Sequence, residues 1–286
     1  MFLANTRSSK GKTTEIQTLT IDYDIICLTE THIDETINSH DIIPTDNKTV
    51  FRRDRNTSGG GVLVAIENFL QPIKVDLDTQ GEELLIIKMK HKMILCCCYR
   101  PLISIQNMTV LSDLLEQISN KYHGYSITLV GDFNLPEINW ITKELKTGAK
   151  HRHIHNRFLT MLLENGMQQL VTQPTHIFGN VLDLICTNNS KLITDIDVIS
   201  PGLSDHHIIT AKVNHVRQTT LQSAPKVIKL YKRVNTTDFR KSLQSTCDQL
   251  EGMNNPSEMW ALFKRDLSEA CERHIPNKVL EPVDSK

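Results

Sequence analysis

The chain has 286 residues, 39% hydrophobic and 23% charged, enough to enclose a core and too apolar for a disordered protein. A net charge of −1 excludes binding to nucleic acid by bulk positive charge alone. The longest apolar run, Met93 to Tyr99, is too short to cross a bilayer, and Met1-Phe2-Leu3-Ala4 lacks the basic start and apolar stretch of a secretory signal, so an intracellular protein with no membrane partner is expected.

Residues 1–4 read as a short strand, followed by Asn5-Thr6-Arg7-Ser8 and a helix over about Thr13 to Thr20. Asp24 to Thr31 is an apolar strand that ends in Glu30. Phe51 to Ile66 places Arg52, Arg53 and Arg55 before three glycines and the strand Val62–Ile66. No Gly-Lys-Ser/Thr follows the glycines, so they predict a turn and not a nucleotide cradle. The arginines are candidates for DNA backbone contacts, although solvated charge is the commoner fate of such a run.

Glu83 to Lys90 and Lys92 to Tyr99 alternate as a hairpin around His91 and deliver Tyr99-Arg100-Pro101 to a strand end. Asn107 to Tyr122 has apolar residues at 108, 111, 114, 115 and 118, an amphipathic helix. Ile127 to Asn134 reads I-T-L-V-G-D-F-N, a buried strand running out into Asp132 and Asn134, which alternation sends to one side and Phe133 to the other. Carboxylates and amides at strand ends suit ligand chemistry, because the sheet fixes the stem while the loop exposes the side chain.

Arg152 to Gly166 is a second outer helix; His151 and His155 are one turn apart but have no carboxylate in register for a metal. Gln168 to Val171 and Pro174-Thr175-His176 lead to a strand over Val181 to Thr187 carrying Asp183. Ile196 to Ser200 and His207 to Val213 flank the loop Ser204-Asp205-His206. Thr219 to Lys229 reads as polar linker, and Thr236 to Leu250 and Pro256 to Ile275 as helices, the second with Trp260, Leu262, Phe263, Leu267 and Ala270 on one side.

Of seven cysteines, Cys96, Cys97 and Cys98 alternate faces of a predicted strand, while Cys27 and Cys186 lie in apolar runs. With no Cys-x-x-Cys spacing they read as small core residues and not as disulfides or a zinc site. Residues 1–215 hold 20 basic and 24 acidic side chains, a net of −4, and residues 216–286 hold 12 and 9, a net of +3. The front part therefore needs cations to approach a phosphate, and a divalent metal in an acidic site would supply them.

In their order and intervals, Asn5-Thr6-Arg7-Ser8, the strand ending in Glu30, Cys98-Tyr99-Arg100-Pro101, Gly131-Asp132-Phe133-Asn134, Leu182-Asp183-Leu184-Ile185 and Ser204-Asp205-His206-His207 resemble the endonuclease/exonuclease/phosphatase superfamily. The nearest likeness is to the apurinic/apyrimidinic-type endonuclease domain of non-LTR retrotransposon polyproteins. The resemblance covers about residues 2–214 and implies an α/β fold: a four-layer sandwich of two stacked mixed β-sheets flanked by helices, with a C-terminal helical extension. Residues 1–214 would form this domain, and 215–286 a linker and helices of the kind that precede a reverse transcriptase.

The resemblance further implies Mg²⁺, with Mn²⁺ as an alternative, held by Glu30 and Asp205. Asp132, steadied by Asn134, would activate water; His206, held by Asp183, would donate to the phosphate, which Tyr99 and Asn5 also grip. Each residue has a plainer reading: Asn5 capping a helix, Glu30 a surface acid, Tyr99 packing its ring, and Asp205 a loop acid beside solvent histidines. Many relatives outside the retroelements carry an acid where Arg7 stands, which would remove one metal ligand, and the short start suggests a truncated copy. The implied function is nicking one DNA strand, in the nucleus, for target-primed reverse transcription, with element RNA or a reverse transcriptase as further partners. The alternatives are a phosphatase or phosphodiesterase acting on lipid, inositol phosphate or RNA, and a catalytically inactive remnant.

Overall fold

The computed structural model describes residues 1–44, 46–101, 105–200, 202–214, 226–229 and 234–280, and the chain divides into two compact units, Met1–His215 and Val216–Lys286. In the first unit the elements run β1 (Phe2–Asn5), α1 (Thr13–Thr20), β2 (Ile25–Thr29), α2 (Ser39–Ile42), β3 (Lys48–Arg53), β4 (Val62–Glu67), β5 (Ile73–Lys74), β6 (Glu83–Met89), β7 (Met93–Tyr99), α3 (Ile105–Lys121), β8 (Ser126–Asp132), β9 (Ile138–Asn139), β10 (Glu144–Leu145), α4 (Arg152–Glu164), β11 (Gln168–Gln169), β12 (Asp183–Thr187), β13 (Ile193–Ile199) and β14 (Ile208–Val213). Two six-stranded sheets result, in the orders β13-β14-β1-β2-β4-β3 and β11-β12-β8-β7-β6-β5.

Each sheet is mixed, with one parallel pair, β1 with β2 and β7 with β8, amid antiparallel neighbours. A parallel connection needs a crossover, and α1 and α3 provide the two. Both members of a parallel pair end on the same edge. Asn5 is thus in register beside Thr29, the residue before Glu30, and Tyr99 beside Asp132.

Alternation along the strands divides the core into layers. On β7, Ile94, Cys96 and Cys98 join Met108, Leu111, Leu115, Phe158 and Met161 under α3 and α4. Leu95, Cys97 and Tyr99 face the other way and meet Leu3, Ile25, Cys27 and Val64 of the first sheet. A third cluster packs Ile16 and Ile42 of α1 and α2 on Phe2, Ile26 and Leu63. The order is helices, sheet, sheet, helices, and the three consecutive cysteines are split between two cores as the alternation predicts. Each buried Leu or Ile contributes roughly 1.5–3 kcal/mol.

One glycine is a condition of this geometry. Gly131 on β8 has φ +130°, and a Cβ there would collide with the backbone of Cys98 on β7. Only glycine lets the two strands approach so closely just before Asp132.

The second unit contains α5 (Thr236–Glu251) and α6 (Pro256–His274), capped by Asn235 and Asn255, and the strand pair β15 (Lys226–Lys229) with β16 (Asn277–Leu280). The linker expected over 219–229 lies outside the described residues up to 225, and its last four form β15 instead. On α6 only Ala270 is buried, and Trp260 remains exposed and stacked on Phe263.

Candidate active site

At the shared strand edge a single buried amide joins the two sheets. Asn5 Nδ2 donates to Glu30 Oε1 (3.0 Å) and to Asp132 Oδ2 (2.9 Å), so both amide hydrogens are used, and its Oδ1 accepts from the Arg7 N–H (3.0 Å). Asp132, fully buried, also accepts from the Asn134 N–H (3.0 Å) and from Asn134 Nδ2 (3.3 Å), and that amide further donates to the Arg100 carbonyl (2.8 Å). Glu30 and Asn134 have φ of +51° and +49°, as Arg7 and His32 have positive φ, so strained backbone collects around these groups.

Asp183 on β12 is in register with Asp132, and its Oδ2 lies 2.7 Å from His206 Nδ1. Burial alone would lower the His206 pKa, but the hydrogen bond and charge of Asp183 outweigh it and raise the value to about 9, so the ring is cationic at neutral pH with both nitrogens protonated. Burial, and then repulsion from Asp183, pushes Asp132 up to about 8. Burial and the hydrogen-bonded Glu30 carboxylate raise the Tyr99 phenol far above its usual value, so it stays protonated and able to donate.

The loop carrying Asp205 is fastened from several sides. Ser204 Oγ donates to the Asn5 carbonyl (2.7 Å) and accepts from the His206 N–H (3.1 Å). A Cβ at Gly202 would meet the His206 carbonyl. Arg7 Nη1 lies 2.5 Å from Asp205 Oδ2, so the residue expected to signify a missing ligand instead neutralises part of a carboxylate. Thr175 Oγ1 accepts from the N–H groups of Leu182 and Asp183 (2.9 and 3.0 Å), fixing the start of β12. His32 Nε2 stands 3.3 Å from Glu30 Oε2.

All eight expected site residues therefore belong to one hydrogen-bonded and ion-paired neighbourhood. Thr175, Ser204 and His32 join it without a role that the sequence predicts; the one local signal among them is the serine two residues before His206, a turn former. Arg52, Arg55 and His155 each have a partner outside the eight. Arg52 is held by Asp54 and the carbonyls of Asp34 and Ile37, so it is structural. Arg55 pairs with Glu83 and lies over the Tyr99 ring. His155 is buried against the His151 carbonyl and binds no partner histidine. A hollow of about 520 Å³ beside α4, lined by Trp140, Leu159, Leu163 and Met167, contains none of these carboxylates.

The donor set fits a hard divalent cation. Asp183 Oδ1 and Asp205 Oδ1 are buried without a hydrogen-bond partner, and buried carboxylates left so are costly unless a cation answers them. The sets Asp132–Asp183–His206 and His176–Asp205–His206 each bring one possible ligand atom per residue within 4.8 Å of the others, but His206, protonated on both nitrogens, leaves ligation to the carboxylates beside it. Glu30 belongs to neither set and is joined to them through Asn5.

Residues 93–210 match a family described as endonuclease-reverse transcriptase. Similar solved structures include a 3′ phosphatase, NExo, from Neisseria bound to a product DNA hairpin (15% identity, 75% of this chain and 98% of that one, TM-score 0.60). An AP endonuclease from Archaeoglobus fulgidus (15%, 75% and 98%, 0.57) and the endonuclease domain of TRAS1, a telomere-specific non-LTR retrotransposon (14%, 74% and 96%, 0.54), are also similar. The first unit has the endonuclease/exonuclease/phosphatase fold. The sequence resemblance to the endonucleases of non-LTR retrotransposons is borne out by the family match, and the four-layer sandwich by the two stacked sheets. None of the curated proteins compared with the chain matches it.

Proposed function

We propose that the first unit is a divalent-metal-dependent endonuclease that nicks one strand of DNA and leaves a 3′-hydroxyl, which in a retroelement would prime reverse transcription. The observation that carries this reading is the Asn5 amide shared by Glu30 and Asp132, with the His206–Asp183 pair on the neighbouring strand. Phosphodiesters resist attack because their anionic oxygens repel nucleophiles, so a site must neutralise charge, orient water and stabilise the leaving oxygen.

Glu30 and the unpaired Oδ1 of Asp205 would hold Mg²⁺ or Mn²⁺, which when bound supplies Lewis-acid neutralisation of a phosphate oxygen. Asp132 is oriented by three N–H donors and made more basic by burial, which suits a base taking a proton from water. Cationic His206 donates to a phosphate oxygen while Asp183 holds its other nitrogen. Tyr99, kept neutral with its single O–H on Glu30, would turn that hydrogen to a phosphate oxygen once the cation takes the Glu30 carboxylate. Asn5, having given both amide hydrogens, positions the two carboxylates and does not itself grip the phosphate.

The test is incubation of the purified protein with supercoiled plasmid and Mg²⁺, with inositol phosphates in parallel. The expected result is nicked circles, abolished by EDTA and reduced at least ~10²-fold by Glu30→Ala, Asp205→Ala or His206→Ala, the scale of one lost preorganised contact. Phosphate release with the plasmid intact would replace the reading by a phosphatase of the same fold. No turnover on either substrate would leave an inert remnant.

A further inference from the structure

His176 has no part in the chemistry above, yet its surroundings are built. Its Nδ1 accepts from the Phe178 N–H at 3.3 Å. An amide N–H can only donate, so this contact makes Nδ1 the acceptor and leaves the ring proton to Nε2. That Nε2 lies 3.5 Å from Asp205 Oδ2, in a side chain only 11% exposed. The imidazole stands edge-on to His206, centroids 4.8 Å apart at 78°.

Backbone bonds hold the arrangement. Ile177 N–H donates to the Asp205 carbonyl (3.0 Å) and His207 N–H to the Thr175 carbonyl (2.7 Å), so His176 faces His206 across a fixed bridge. These contacts favour a donor over a metal ligand. Ligation through Nε2 would put the ring's proton on Nδ1, against the Phe178 N–H. The 3.5 Å separation is long for a hydrogen bond, but such bonds in substrate-free sites tighten when the substrate binds.

Resting on the endonuclease reading, we propose that His176 is a positioning residue: with Arg7 it holds Asp205 by Oδ2, leaving the buried Oδ1 free for the reaction, and it braces the ring of His206. Arg7 donates to one oxygen of this carboxylate, His176 Nε2 stands 3.5 Å from the same oxygen, and no donor reaches the other; that asymmetry is what His176 and Arg7 maintain.

Steady-state plasmid nicking at saturating Mg²⁺ tests this with two variants of the full chain. His176→Phe keeps a flat ring beside His206 but cannot donate; His176→Gln retains an N–H donor. The phenylalanine variant is expected to lose about 10-fold in kcat with KM unchanged, the scale for removing an orienting partner, while the glutamine variant keeps most of the rate. A phenylalanine variant at the wild-type rate overturns the proposal. So do equal losses in both variants with lowered thermal stability, which would mean packing alone. Should the wild type itself fail to nick, the endonuclease reading falls first. In that case the ¹H–¹⁵N spectrum of the histidine rings still decides the geometry: a proton on His176 Nε2 is expected, and one on Nδ1 refutes it.

Discussion

Replacing Asp132 by asparagine tests the claim that this carboxylate is held at the expense of the fold. Its carboxyl is fully buried, and burial together with Asp183 raises its pKa from 3.8 to about 8. A group whose folded pKa is raised stabilises the protein fully only below its unfolded pKa, and that contribution is lost as pH climbs through the folded value. Ionising Asp132 therefore costs stability progressively between about pH 4 and pH 8. His206, raised from 6.5 to about 9, acts in the same direction: its bond to Asp183 stabilises fully below about pH 6.5 and is lost by about pH 9. A tenfold change in a group's acidity between the folded and unfolded chain corresponds to about 1.4 kcal/mol, so the Asp132 share is on the order of a few kcal/mol. Asparagine removes the charge but not without loss, because three N–H groups point at the two carboxyl oxygens, and where the protonated acid still offers a hydroxyl oxygen as acceptor the amide presents an NH2 that accepts none. The variant should be less stable than wild type at pH 5 and more stable at pH 9. In EDTA, thermal unfolding at pH 5, 7 and 9 should show the two curves crossing, with wild type losing several degrees more, at roughly 2–4 °C per kcal/mol for a unit of this size. Wild-type stability that is flat or rises from pH 5 to pH 9 would refute the reasoning.

Asn5→Ala should lower nicking by at least ~10²-fold, because Glu30 and Asp132 lose their common donor, while circular dichroism shows the fold retained. Gly131→Ala combines a φ of +130° with a collision against the Cys98 backbone, and should cost about 3 kcal/mol or more, seen as loss of folded protein on expression. Mg²⁺ at about 100 times its dissociation constant should stabilise the wild type at pH 8 by about 2.7 kcal/mol, read as a rise in unfolding temperature that Glu30→Ala removes. Of the seven thiols, Cys247 should alkylate rapidly in the native protein, whereas Cys27, Cys96, Cys97, Cys98 and Cys186 should react only after denaturation, as mass spectrometry of the labelled peptides would show.

The parts of this molecule legible in the sequence are those whose cause is local. The boundaries of α1, the pairing of β6 with β7 and the split of Cys96, Cys97 and Cys98 between two cores follow from periodicity and turn residues a few positions apart. Glu30, Asp132 and Asn134 could be found because a polar residue closing an apolar strand is itself a local signal, and Asp183 because an acid opening one is equally so. The unread parts depend on which segments the sheets bring together. Arg7 meets Asp205 across 198 positions and Asn5 meets Asp132 across 127, and nothing near Arg7 in the chain says that a carboxylate will face it. Likewise β15 is four residues long and finds its partner in β16 some fifty positions later, so its Lys-Val-Ile-Lys reads as linker until the pairing is known. His176 is the sharpest case. By sequence it is a loop histidine between Thr175 and Ile177, and it acquires a defined tautomer only from the Phe178 amide and a target only from Asp205, 29 residues away on another loop. Strand ends can be nominated from the chain alone, but the second layer that aims them is a property of the sheets in register. Substitutions in that layer, at Thr175 and His176, should alter rate while leaving every recognisable motif intact.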